Sequence, residues 1–217
     1  MERLIALFQE HRDPANAAGM AKYMRDQFPY LGIKAPERRL LLRQFLKDSG
    51  LDKGLPDRRL VLELWKLPER EYQYAAVDYL VELRRQLTAE DTGLLQGLIT
   101  GKAWWDTVDP LATVVVGDLA GRHPHIVPET IEDWSGHENL WLRRTAILFQ
   151  LKYKARTDTP LLYRFILRNA ASREFFIQKA IGWALREYSK TDPESVRAFI
   201  RENALPRLSV REGGKYL

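Results

Sequence analysis

The sequence predicts an all-α protein built from stacked helix pairs, and two features of the chain support this fold class. Apolar residues recur at helical spacing, and no long stretch alternates with the period of two that a half-buried strand requires. Segments led by an aromatic residue recur at Tyr72, Trp104, Trp141 and Phe176, in steps of 32, 37 and 35 residues. Such steps are typical of helical repeats, in which each unit buries its apolar face on its neighbours. One edge of each unit would then line a shared concave surface.

Prolines and capping residues mark where several helices begin. Asp13, Thr159 and Asp192 each precede a proline and carry a side-chain oxygen that can cap a helix. Ser209 and Glu212 have the spacing of a capping box for a final short helix. The predicted helices span residues 2–11, 14–28, 36–48, 56–66, 68–86, 89–99, 106–121, 127–135, 139–153, 160–169, 173–189 and 193–203, followed by a fragment at 210–216.

Three of these segments carry further expectations. The segment 139–153 is apolar on nearly all sides, which predicts a helix buried among others. The segment 106–121 contains Pro110, so the helix either begins near residue 106 or kinks at the proline. The final segment contains Gly213 and Gly214, which are poor helix formers, and we expect it to fray.

Composition excludes several kinds of site. The chain has 217 residues, 45% hydrophobic and 29% charged, and no linker divides it, so we expect one domain over residues 1–217. It has no cysteine, which rules out disulfides, iron–sulfur clusters and thiol catalysis. The four histidines lack metal-ligand spacing, and no phosphate-binding loop, dinucleotide fingerprint or nucleophile elbow occurs. No apolar run could span a membrane, so we expect a bacterial cytoplasmic protein without metal or cofactor.

The net charge of +5 is modest, but its placement is informative. Basic residues concentrate in the middle and C-terminal repeats, where they could share one face and attract a polyanion. A solvated helical surface would explain the same pattern. The basic residues of this region include Arg143, Arg144, Lys152, Lys154, Arg156, Arg164, Arg168, Arg173, Lys179, Arg186 and Lys190.

Aromatic and charged residues at helical spacing suggest a site for a cation. Trp105 and Asp109 are four residues apart, so they share a helical face and could stabilise a positive charge. The alternative is a core tryptophan beside a solvated acid. Arg144 lies on a largely apolar helix, where it would clamp an anion or form an interhelical salt bridge. Trp183 and Tyr23 are either core residues or part of a binding surface.

Four segments together resemble the DNA alkylation repair enzymes, the AlkD-like DNA glycosylases. They are residues 31–39, 104–109, 141–154 and 174–188, and the similarity extends from about Ala17 to Lys215. The resemblance implies a right-curved α-solenoid of HEAT-like antiparallel helix pairs with a concave DNA-binding face. It also implies excision of cationic alkylated bases, N3-methyladenine and N7-methylguanine, from duplex DNA without base flipping.

By position, the resemblance assigns Asp109, Trp105 and Trp183 to the catalytic site that cradles the sugar of the damaged nucleotide. Arg144 matches the family arginine beside the catalytic carboxylate and the DNA backbone. Lys34 stands where the family often has glutamine, so a contact with the base opposite the lesion is in doubt, although its charge would favour backbone binding. Aromatic residues that complete or support the DNA-facing surface are Tyr23, Phe175 and Phe176.

The resulting hypothesis is a monomeric, monofunctional glycosylase that binds DNA through these residues and the basic residues Arg143, Lys152, Lys154, Lys179 and Arg186. No lysine is placed as a Schiff-base nucleophile, so we expect no strand cleavage. Two alternatives remain: a weakly active or inactive DNA-binding member, and a HEAT-like scaffold for protein partners. Salt-dependent binding to duplex DNA would favour the first over the second.

Overall fold

The computed structural model describes residues 1–217 and confirms the all-α fold class, since every regular element is a helix. The chain divides into two compact units, residues 1–87 and 88–217. The single domain expected over the whole chain stays a prediction. None of the helices combines the length and the apolar character that crossing a membrane would require.

The first unit contains five α-helices and a closing 3-10 turn at Arg84–Gln86. Asp13 accepts a hydrogen bond from the Asn16 backbone N–H, which confirms its predicted capping role. Helix α2 ends five residues earlier than predicted, because the chain takes up left-handed backbone angles at Arg25 and Asp26. The helices are α1 Glu2–Glu10, α2 Pro14–Tyr23, α3 Ala35–Asp48, α4 Arg58–Lys66 and α5 Arg70–Glu82.

A buried carboxylate on α5 fixes the loop that leads into α3. Glu71 is fully buried and accepts hydrogen bonds from the backbone N–H groups of Leu31, Gly32 and Ile33 at 3.0, 2.8 and 3.2 Å. Gly32 has a φ of +95°, and a Cβ there would lie 2.0 Å from the Asp13 carbonyl oxygen. This part of the family-like segment 31–39 is therefore architectural.

The second unit begins with a 3-10 turn at Ala89–Asp91, and nine α-helices follow. Segments Leu111–Val116 and Val127–Ile131 have π-helical hydrogen bonding and continue directly into α8 and α9. Further 3-10 turns occupy Lys154–Arg156 and Gly214–Tyr216. The helices are α6 Thr92–Thr100, α7 Trp105–Pro110, α8 Gly117–Arg122, α9 Glu132–Gly136, α10 Leu140–Leu148, α11 Thr159–Asn169, α12 Phe175–Tyr188, α13 Pro193–Glu202 and α14 Arg207–Gly213.

Pro110 lies inside one long helical stretch, residues 105–122, close to the span predicted. Helix α7 begins at Trp105, so Trp105 and Asp109 do share a face. Because Pro110 has no N–H, the ladder is interrupted one residue after Asp109, and the wider π segment begins at Leu111. The hydroxyl of Thr113 donates to the Asp109 carbonyl at 2.8 Å and stabilises this turn.

Helix α10 lies in the interior of the second unit, as its apolar composition predicted. Seven of its nine residues are buried, including Arg144 and Thr145. It ends at Leu148, earlier than the predicted residue 153, and the following loop is held by the Gln150 side chain. That amide donates to the Asp158 carbonyl and accepts from the Asp158 N–H. The core around α10 and α12 includes Ile147, Leu148, Leu162, Ile166, Ile177, Ile181 and Leu185.

Two capping predictions in this unit need correction. The cap of α11 is Asp158, which accepts from the Leu161 N–H, and Thr159 is the first helical residue. Ser209 and Glu212 form no capping box, because α14 begins at Arg207 and both side chains bind α12 instead. Asp192 caps α13 as predicted, through the Ser195 N–H.

The C-terminal helix is formed as far as Gly213, contrary to the expected fraying. Gly213 is buried, and a Cβ there would lie 2.9 Å from the Leu185 Cβ. The glycine that weakens this helix thus permits its close approach to α12.

Candidate active site

An ion pair joins the two residues that the sequence singled out on α7 and α10. Arg144 Nε donates to Asp109 Oδ1 at 2.7 Å, and Arg144 Nη2 donates to Asp109 Oδ2 at 2.9 Å. This two-bond geometry fixes the carboxylate more firmly than a single contact would. The arginine side chain is 6% exposed and the aspartate side chain 15% exposed, so the pair is largely but not fully buried.

Arg144 also ties this pair to a third helix. Its Nη1 donates to the backbone carbonyl of Phe176, in the first turn of α12, at 2.6 Å. The interhelical salt bridge considered from sequence is therefore present, and its partner is the predicted catalytic carboxylate. Because the guanidinium is buried and engaged by the protein, direct contact of Arg144 with DNA stays a prediction.

An aromatic cluster, defined as Trp104, Trp141 and Phe176, meets the ion pair at Phe176, whose ring centroid lies 5.9 Å from the guanidinium carbon of Arg144. The Trp104 ring centroid lies 5.8 Å from that of Trp141 and 5.0 Å from that of Phe176. The Trp141 and Phe176 centroids are 4.9 Å apart. Sequence reasoning used Trp104 and Trp141 only as repeat markers and missed their part in this cluster. Their place at the head of each repeat was the available signal.

Phe175 and Phe176 have different environments, although they are adjacent. Phe175 is 56% exposed at the start of α12, whereas Phe176 is partly buried in the aromatic cluster. The exposed ring of Phe175 is open to solvent, as a DNA-facing residue would require, and its role stays a prediction. Phe176 supports the cluster and supplies the carbonyl that holds Arg144.

The two predicted catalytic tryptophans are both partly buried. Trp105 precedes Asp109 by one helical turn on α7. Trp183 lies seven residues after Phe176 on α12, so the two side chains share one face about 10 Å apart along the helix. Its ring packs on the edge of the core between α10 and α12.

The environment of Asp109 changes its acidity. Burial raises the pKa of the carboxyl above its ordinary value, because the ionised form loses hydration. The hydrogen bonds and the charge of Arg144 oppose this shift, and the nearby Asp106 adds to it. A carboxyl whose pKa is perturbed by burial and by a charged partner is a candidate functional group, although structural ion pairs perturb pKa values in the same way. In its ionised form it can stabilise a cation at short range.

The predicted DNA-binding cations divide into two groups. Lys179 and Arg186 on α12 both contact Glu212, at 3.3 and 3.0 Å, so their charges are partly used inside the protein. Lys152 and Lys154 are exposed, follow the C-terminal end of α10, and form no salt bridge. Arg143 has a buried Nε without a hydrogen-bond partner. For all five, contact with DNA stays a prediction.

Two further site predictions fall in the first unit. Tyr23 ends α2 and is 75% exposed. Lys34 is exposed immediately before α3, at the end of the loop that Glu71 holds. Both positions are open to solvent, as a DNA contact would require, and their role stays a prediction.

Neither the larger cavities nor the acidic groups suggest another reaction centre. A cavity of about 410 Å³ in the second unit is lined by residues such as Phe149, Tyr153 and Leu161, and by none of the predicted site residues. No group of three or more histidine or carboxylate side chains is placed to hold a metal ion. The candidate site therefore rests on the residues around Asp109, on α7, α10 and α12.

Comparison with known proteins identifies the family of the chain. The family model for the DNA alkylation repair enzyme matches residues 4–217. A solved structure described as a predicted DNA alkylation repair enzyme from Enterococcus faecalis is 39% identical, with a TM-score of 0.87. The match covers 95% of this chain and 96% of that one. None of the curated proteins matches the chain. The chain belongs to the DNA alkylation repair enzyme family.

Proposed function

We propose that the protein is a monofunctional DNA glycosylase that releases cationic alkylated purines, such as N3-methyladenine and N7-methylguanine, from duplex DNA. The observation that carries this proposal is the Asp109 carboxylate, held by two hydrogen bonds from Arg144 and still partly exposed. A fixed negative charge of this kind can stabilise a positive charge that appears only during reaction.

The chemistry requires little from the protein. An alkylated purine of this class already carries a positive charge, so it leaves without a general acid. As the bond from C1′ to the purine nitrogen breaks, its electron pair neutralises the base, and positive charge develops on C1′ and O4′ of the sugar. Water then adds to C1′ and loses a proton. Asp109 would stabilise the cationic sugar and orient the water, as carboxylates do in glycoside hydrolysis.

Aromatic residues would add a second contribution. The π faces of Trp105 and Trp183 favour a cation over a neutral group, so they stabilise the transition state more than the ground state. We propose that excision proceeds without base flipping, as the family resemblance implies, which differs from most glycosylases. We therefore expect release of bulky N7-alkylguanines as well as methylated ones. Rejection of bulky adducts would indicate a closed pocket.

The direct test is release of methylated purines from methylated duplex DNA by the wild-type protein and by Asp109→Asn. Loss of one preorganised electrostatic group costs about 10²–10³ in rate, so the variant should be slower by that factor. Its thermal midpoint should fall, because the buried Arg144 guanidinium loses its ionised partner, so both rates are measured at a temperature where both proteins are folded. DNA affinity should remain and should fall with rising salt in both proteins. Equal rates for both proteins would contradict the proposal.

The predicted absence of lyase activity has its own test. Reduction with borohydride traps a Schiff base between enzyme and DNA. We expect no trapped complex, because the proposed mechanism uses water as the nucleophile. A covalent complex would replace hydrolysis with lysine chemistry.

A further inference from the structure

The C-terminal helix binds α12 directly beside Trp183. A Cβ at Gly182 would lie 2.5 Å from the Glu212 Cβ and 3.2 Å from the Ser209 carbonyl oxygen. The Ser209 hydroxyl donates to the Gln178 carbonyl at 2.8 Å. Helix α14 therefore lies against the backbone of α12 at the residue that precedes the predicted catalytic tryptophan.

One carboxylate on α14 connects the two side chains that flank Trp183. Glu212 Oε1 lies 3.3 Å from Lys179 Nζ, and Glu212 Oε2 accepts from Arg186 Nη1 at 3.0 Å. Lys179 is four residues before Trp183 and Arg186 is three residues after it, so both are its neighbours on the helix surface. Lys215 Nζ adds a third contact, at 2.9 Å.

Glu212 forms one ion-pair network with these cations. It is buried, with a side chain 9% exposed, and all its partners are basic. The hydrogen bond from Lys215 is the largest cause of a pKa lowered to about 2, with Lys179 adding to it and desolvation opposing it. The carboxylate is thus ionised at any pH at which the protein would act, and its contacts persist.

We propose that Glu212 is a positioning residue that sets the placement of Trp183 by fixing Lys179 and Arg186 on either side of it. The C-terminal helix then contributes to the proposed reaction without touching the substrate. This inference rests on the proposed glycosylase function, and it also predicts a structural effect that is measurable without activity.

The kinetic test compares Glu212→Gln with Glu187→Gln, in a protein with wild-type Trp183 and in Trp183→Ala. Glu187 lies on α12, like Trp183, and forms a salt bridge only with Lys190. Its variant therefore removes the same charge from a side chain that does not pair with α14. In single-turnover excision, Glu212→Gln should be slower by about tenfold, since small misplacements of this kind lose rate. Glu187→Gln should match wild type.

The excision rate and the DNA affinity should respond differently to Glu212→Gln. The variant frees three cations, Lys179, Arg186 and Lys215, so its affinity for duplex DNA should be unchanged or tighter while its rate falls. In the Trp183→Ala background the same change should have no further effect on rate. A tenfold loss that persists without Trp183, or a parallel loss of affinity and rate, would overturn the inference.

A spectroscopic measurement separates this inference from the proposed function. Protein labelled with 5-fluorotryptophan gives one fluorine resonance for each of the six tryptophans, and Trp183→Phe identifies the one of interest. Glu212→Gln should shift or broaden that resonance, whereas Glu187→Gln should not. An unmoved resonance overturns the inference even if the wild type releases no base. If Glu212→Gln does not fold, Ser209→Ala, which removes only the hydroxyl contact to Gln178, is measured instead with the same expectations.

Discussion

Two buried carboxylates, Glu71 in the first unit and Asp109 in the second, have opposite relations to solvent. Glu71 is fully buried, and three backbone N–H groups surround it. The Asp109 carboxylate accepts two hydrogen bonds from one arginine, Arg144, and the aspartate side chain is 15% exposed. A fully buried carboxylate that accepts three backbone hydrogen bonds is closed to a ligand. One that is fixed but still accessible can act on a substrate.

A substitution in the loop that Glu71 binds should cause the largest loss of stability, and it tests the architectural role of Glu71. Gly32→Ala would place a Cβ 2.0 Å from a backbone carbonyl oxygen at a φ of +95°. We expect a loss of about 3–5 kcal/mol in the free energy of unfolding, measured by urea denaturation. Gly19→Ala is the matched control, because nothing lies within 4 Å of its Cβ, and it should be neutral or slightly stabilising.

Glu71→Gln should have the next largest effect on stability. The NH2 group of the new glutamine cannot accept a hydrogen bond. At least one of the three backbone N–H groups would therefore lose its acceptor. The expected loss is about 1–3 kcal/mol, measured in the same way. Glu82→Gln, an exposed change on the same helix, should change stability little. If both variants were equally stable, Glu71 would not be the architectural carboxylate that its contacts indicate.

Arg144→Lys tests whether the geometry of the Asp109 pair matters beyond its charge. Lysine keeps the positive charge but cannot make two parallel hydrogen bonds to Asp109 and a third to the Phe176 carbonyl. We expect excision about tenfold slower, equivalent to one lost charged hydrogen bond. Full activity in this variant would show that Arg144 acts only through its charge.

Acid sensitivity tests the ionic origin of the Glu212 contacts, and its expected effect is the smallest. Its pKa is lowered from 4.5 to about 2 in the folded protein, so its stabilising contribution is present above 4.5 and is lost as the pH falls towards 2. The difference in thermal midpoint between wild type and Glu212→Gln should therefore be greatest at neutral pH. It should shrink steadily below pH 4.5. A difference independent of pH would contradict the ionic origin of its contacts.

Much of the helical architecture could be predicted because its signals are local. Asp13 and Asp192 cap their helices with the geometry expected of an aspartate before a proline. The capping box at Ser209 and Glu212 was wrong because partners distant in sequence determine what these side chains bind. The Gln178 carbonyl and the cations of α12 bind them in place of their own helix end.

The candidate site was predictable in part for the same reason. The shared face of Trp105 and Asp109 follows from helical spacing once the helix is known to begin before Pro110. The pairing of Asp109 with Arg144 joins residues 35 positions apart in sequence, and only packing of α7 against α10 brings them together. The aromatic cluster also forms between helices, so no local pattern shows it.

The most direct test of the central claim, that ionised Asp109 stabilises a cationic sugar, is the pH dependence of single-turnover excision of N7-methylguanine. The lesion is already positively charged, so the profile reports the enzyme. Because burial raises the pKa of Asp109, the rate should fall on acidification at a pH above the ordinary 3.8 of aspartate and should reach a plateau at higher pH. Asp109→Asn should be slow and flat across the range. A rate that declines at high pH, as a general acid would require, or an unchanged profile in Asp109→Asn would contradict the claim.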